Sequence, residues 1–116
     1  MRPKTIFLDI DGTIILHSNN LSEQFDNAKI IEGTLEKINE WDRKGYNIIL
    51  TTGRRESMRL ETEKQLSKLG IFYDTLIMGI GGGIRVIIND RKPNSLDDTC
   101  FAINIDRNQG IKNIDI

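Results

Sequence analysis

The stretch KTIFLDIDGTIILH, residues 4–17, decides how this chain is read. Residues 5–10 are a continuous apolar run broken only by Asp9, the mark of a strand covered on both faces. The run ends on two carboxylates, Asp9 and Asp11, followed by Gly12, Thr13 and a second apolar run. Side chains at i and i+2 of a strand share a face, so the two carboxylates converge. Gly12 permits a sharp change of direction, and Thr13 brings a hydroxyl and an amide. A turn signal explains Asp11-Gly12, yet leaves Asp9 as a charge closing a buried run without a partner. A divalent cation resolves that repulsion, and hard carboxylate oxygens suit magnesium.

Outward from this stretch the pattern alternates. Residues 13–25 hold a short apolar piece and a polar turn, expected as a hairpin or flap. Leu35, Ile38 and Trp41 recur at helical spacing between Thr34 and Lys44, extending Ile31, with Thr34 as N-cap and Gly45 as stop. Residues 46–52 read as a second buried strand. Residues 55–69 read as a second helix, with Met58, Thr62, Leu66 and Leu69 on one side and Gly70 ending it. Further strands are expected at 73–78, 84–89 and 101–105, the first two joined by the glycine-rich GIGGG of residues 79–83. Strands alternating with helices predict an α/β fold, a three-layer, Rossmann-like parallel sheet with right-handed crossovers. Ligands in such sheets sit at the C-terminal strand ends, where Asp9, Thr52 and Asp90 fall.

With 116 residues there is room for one domain, 1–116, and one core. The formal charge of −1 gives no whole-chain drive toward nucleic acid. Cys100 is the single cysteine, so no intrachain disulfide and no four-cysteine zinc site can form. The N-terminus lacks a signal-peptide core, and no apolar run approaches a membrane span. A soluble cytoplasmic protein is the expectation.

DIDGT (9–13), ILTTGR (49–54) and VIIND (86–90) together resemble the haloacid dehalogenase-like phosphatase superfamily, over nearly the whole chain. DIDGT matches its first motif, Asp-x-Asp-Gly-Thr, after an apolar strand. The resemblance implies that Asp9 is the nucleophile, becoming a phosphoaspartate. It implies that Asp11 is the general acid and then the base. Gly12, Thr13, Thr52, Gly53 and Arg54 would bind phosphate. Magnesium would be held by Asp9, Asp90 and the main-chain carbonyl of Asp11. Asn89 departs from the paired acids of the fourth motif, which implies altered metal binding. The third motif supplies a cation; no lysine lies between Lys68 and Lys92, so Arg85 takes the role, with Arg54 and Lys92 as alternatives.

The gaps 13–33 and 79–83 are too short for a cap domain, so the chain resembles capless members, in particular small phosphatases of capsule and surface-sugar biosynthesis. The expected substrate is a sugar phosphate or related metabolite, with a homo-oligomer covering the open site. Polynucleotide 3'-phosphatases share the Asp90-Arg91 pair, and Arg54, Arg55, Arg59, Arg91 and Lys92 could line a nucleic-acid path, although Glu56, Glu61 and Glu63 interleave with them. A non-catalytic phosphate-binding module is the third reading. His17, on the flap, is either a surface residue or a substrate contact.

Overall fold

The computed structural model describes residues 2–116, and the backbone alone of Leu21 and Ser22. Strand β1 (Thr5–Asp9) is followed by α1 (Leu21–Phe25), α2 (Thr34–Arg43), β2 (Asn47–Thr51), a 3-10 turn (Glu56–Met58), α3 (Arg59–Lys68) and β3 (Thr75–Ile77). The three strands form one parallel sheet in the order β1-β2-β3. Its register places Asp9 beside Thr51 and Thr51 beside Ile77, so all three strands end in one row. That row is the edge on which a site can assemble.

Register also fixes the core. Leu8, Leu50 and Leu76 are partners across the sheet and, with Ile48, point into a single buried cluster. Ile38 and Trp41 of α2 and Leu66 of α3 complete it, so both helices pack on the same sheet face. α2 buries Thr34, Ile38 and Trp41, one stripe of a helix. Its N-cap is Gly33, with φ of 88°, rather than the expected Thr34, which lies inside the helix and buried. Met58 and Leu69 flank the buried Thr62 and Leu66 as expected.

The expectation of strands covered on both faces is corrected. Burial alternates, with Leu8, Ile48, Leu50 and Leu76 buried, whereas Phe7 is 53% exposed and Ile77 37%. This is the period of a sheet covered on one face. The expected strands at 84–89 and 101–105 are also corrected, because the described residues beyond Ile77 form no helix or strand. Ile84 is 96% exposed and Ile88 93%, while Phe101 and Ile103 are at least half exposed. The excursion is tied across its legs by the Asn89 amide donating to Thr99 and by Thr99 Oγ1 donating to the Asp90 carbonyl. The chain then returns, and Ile111 is buried in the core.

Between β1 and α2, residues 14–16 run beside 29–31. The Leu16 N–H donates to the Lys29 carbonyl and the Ile31 N–H to that of Ile14, both at 2.9 Å. Ile14 and Ile15 are fully buried and pin this base. The loop above it carries α1, so the expected flap is present and bears a short helix. No helix among the described residues is long and apolar enough to cross a membrane.

Candidate active site

Asp9 closes β1 half-buried. Its carboxylate accepts the Thr13 hydroxyl at 3.3 Å and is held by the Ile10 N–H. Burial is the main influence and raises its pKa above 3.8; these hydrogen bonds and the Arg85 charge act in the opposite direction, and the neighbouring Asp11 adds to the rise. Asp9 is therefore a desolvated acid with spare lone pairs.

The turn after Asp9 is sharp because Gly12 has φ of 87°. The Thr13, Ile14 and Ile15 N–H groups all donate to the Ile10 carbonyl. This turn directs Asp11 toward the end of β2, where Arg54 meets it with two parallel bonds, Nε to Oδ2 at 2.8 Å and Nη2 to Oδ1 at 2.6 Å. The Arg54 side chain is only 6% exposed. Its remaining donors reach Thr62 Oγ1 at 3.2 Å and Gln65 Oε1 at 2.7 Å on α3, and its guanidinium lies 4.6 Å from the centre of the Phe25 ring. Arg54 was expected to bind phosphate; its donors are instead engaged on Asp11 and α3.

Thr52 is buried just past β2, and its hydroxyl accepts the Arg54 N–H at 3.1 Å. It keeps its own proton to donate. A Cβ on Gly53 would stand 2.7 Å from the Gly81 carbonyl oxygen, so close backbone approach requires this glycine. Arg85 donates to the Gly83 carbonyl and adds positive potential at Asp9.

Asp90 is not brought to the other two aspartates. The strand that would have carried it there is not formed, and Asp90 is exposed, 3.8 Å from Lys92. Among the described residues no group of three or more acids, histidines or cysteines gathers as a metal site. The half-buried Asp9 carboxylate is a hard oxygen donor of the kind magnesium takes, one or two carboxylates sufficing where water and phosphate complete its shell.

Three residues of the site escaped the sequence. Gln24, on α1, donates through Nε2 to Asp11 Oδ1. Gln65 joins Arg54 to the backbone of Gln24. Asn108 donates its N–H to the Gly12 carbonyl at 2.8 Å and accepts the His17 N–H at 2.7 Å, bracing the turn after β1. Only Asn108 had a local signal, since asparagine tolerates its φ of 66°. A cleft of about 310 Å³ beside Asp11 is lined by His17, Gln24, Phe25, Gly53, Arg54 and Arg55, among others.

A family model described as PITM 1-3, LNS2 domain, matches residues 6–105. The chain belongs to this LNS2 domain family. Its match takes in β1 from Ile6 onward, β2, β3 and the site residues from Asp9 to Arg85, but not Asn108. Among solved structures, the chain is similar to one of the Pnkp1/Rnl/Hen1 complex, at 29% identity and a TM-score of 0.58, over 72% of this chain and 30% of that one. A second structure, of the Pnkp1/Rnl/Hen1 RNA repair complex, matches at 26% identity and a TM-score of 0.57, over 82% of this chain and 28% of that one. The chain thus spans under a third of those proteins. The D,D-heptose 1,7-bisphosphate phosphatase of B. bronchiseptica, complexed with magnesium and phosphate, shares the fold at 20% identity and a TM-score of 0.50, over 68% of this chain and 51% of that one. No curated protein matches the sequence. The fold class is that of a haloacid dehalogenase-like α/β domain without a cap.

Proposed function

We propose that this chain hydrolyses phosphate monoesters, with Asp9 as nucleophile and Asp11 as acid and base. The observation that carries the reading is the pair itself. A desolvated Asp9 with free lone pairs stands at the C-terminal edge of a parallel sheet, and Asp11, one residue on, is held in one orientation by Arg54. An Asp9 oxygen attacks phosphorus as the bond to the ester oxygen breaks, and Asp11 gives that oxygen a proton. Asp11 then takes a proton from water, which attacks the aspartyl-phosphate, releasing phosphate and restoring Asp9. Thr13, whose hydroxyl donates to Asp9, steadies the nucleophile, Thr52 supplies a hydroxyl donor to a phosphate oxygen, and Arg85 supplies positive potential. Magnesium, held by Asp9 and the Asp11 carbonyl, would offset the repulsion between carboxylate and phosphate.

A small phosphorylated metabolite, of the sugar-phosphate kind, fits the modest cleft. The expected basic path for nucleic acid is largely neutralised. Arg59 is paired with Glu56 and Glu63, Arg91 with Asp98, and Arg54 is buried on Asp11. The likeness to chains of the Pnkp1/Rnl/Hen1 RNA repair complex favours a second reading, a polynucleotide 3'-phosphatase.

Phosphate release from an aryl phosphate, a sugar-phosphate panel and 3'-phosphorylated oligonucleotides, with and without magnesium, tests both. The expected result is magnesium-dependent release from small esters. Release from oligonucleotides alone would select the second reading. Binding of a phosphate analogue without turnover would leave a non-catalytic module.

A further inference from the structure

The flap closes a ring of hydrogen bonds around Asp11. Asp11 binds Arg54, Arg54 Nη1 donates to Gln65 Oε1, Gln65 Nε2 donates to the Gln24 carbonyl at 2.6 Å, and Gln24 Nε2 donates back to Asp11 Oδ1. Four parts of the fold are therefore tied into one ring, with Arg54 and Gln24 touching the carboxylate itself. The orientation of the Gln24 amide is fixed by its chemistry, since Oε1 accepts the Ser18 N–H at 2.6 Å and Nε2 must then be the group facing Asp11. Gln24 is 7% exposed and Gln65 likewise, so water does not readily replace either partner.

We infer that Gln24 is a positioning residue for proton transfer by Asp11. The inference rests on the phosphatase reading. A carboxylate oxygen has two lone pairs. Oδ1 receives two donors, from Arg54 and Gln24, and is saturated; among the described residues Oδ2 receives Arg54 Nε alone. Gln24 thereby leaves Oδ2 as the oxygen with an open lone pair, the one that carries the proton to the leaving group. Without the amide both oxygens keep an open position, and the proton is shared with an oxygen that the flap otherwise blocks. The seating of α1 is thus a condition of efficient acid catalysis rather than only a cover for the cleft.

The test compares wild type with Gln24→Met, which keeps the stem of the side chain but removes the donor, and with Gln65→Ala, which loosens Gln24 from α3. The readout is kcat/KM for an alkyl phosphate, whose departure needs a proton, against 2,4-dinitrophenyl phosphate, whose departure does not. Acid catalysis contributes on the order of 100-fold or more. Its partial loss should lower the alkyl reaction about tenfold or more while the dinitrophenyl reaction changes less than about threefold. Equal losses on both substrates, or no loss on the alkyl ester, would overturn the inference and leave the phosphatase reading standing. A wild type inactive on every ester would remove that reading, and the inference with it. The contact itself is read without turnover. The Gln24 side-chain amide resonances should shift in Asp11→Asn relative to wild type, and unchanged resonances would also overturn the inference.

Discussion

Arg54 grips Asp11 through both carboxylate oxygens, at 2.8 and 2.6 Å, from the end of the neighbouring strand. Two motifs far apart in sequence are joined by one planar fork. Arg54→Ala strands the Asp11 carboxylate and Gln65 Oε1 together, so it should cost about 2–4 kcal/mol, toward the low side of a broken buried pair because Asp11 is partly exposed. Arg54→Lys should recover little, since an ammonium cannot reproduce the fork. Chemical denaturation of the three proteins measures both; a lysine variant as stable as wild type would show that charge alone suffices.

Asp9→Asn should lower turnover by at least about a thousandfold, as expected for loss of a nucleophile. In magnesium-free buffer the same variant should melt at a higher temperature than wild type. Burial raises the Asp9 pKa above 3.8, so at neutral pH the folded state carries a desolvated charge that the unfolded chain keeps in water. That cost is full above the raised value, shrinks as pH falls through it, and is gone below about 3.8. The gain in melting temperature should close over that interval. A gain of constant size down to pH 3 would point to another cause.

Ile84 and Ile88 bury almost nothing. Replacing both by serine should change stability by less than about 0.5 kcal/mol per site, whereas truncating a buried isoleucine costs about 2–5 kcal/mol. The variant should also self-associate less at high concentration, because exposed apolar patches promote association. Loss of several kcal/mol on denaturation would place residues 84–89 in a buried strand after all.

Gly53→Ala should destabilise by about 1–3 kcal/mol, since its Cβ must displace the backbone at Gly81. Gly81→Ala meets no atom within 4 Å but has φ of 75°, so its cost is conformational. Thermal melts of the two variants, alone and combined, separate the mechanisms. Relief of the Gly53→Ala penalty by a shift at Gly81 would appear as non-additivity.

The strand ending on Asp9 and the turn at Gly12 were legible because both depend on neighbours in sequence. An apolar run meets charge, and a glycine permits the φ that reverses the chain. The helices were legible for a similar reason, since Ile38 and Trp41, or Thr62 and Leu66, repeat at helical spacing and bury together. Coverage was not. The same apolar composition suits a strand buried on one face or on two, and Phe7 is exposed because none of the described helices packs on its face. The strand expected to carry the fourth motif fared likewise: residues 84–89 have strand composition, but a strand needs a partner to pair with, and none is formed there.

The sequence by itself determined that Asp9 would close the first strand and that Asp11 would follow it into a turn at Gly12, because spacing and chain direction are local properties. The tertiary structure alone decided what surrounds them. It placed Arg54 and Gln24 on Asp11 with Gln65 bridging the two, left Asp9 desolvated, and kept Asp90 away. Hydrogen-bond partners of a buried acid come from whichever elements pack beside it, and packing is a property of the whole fold.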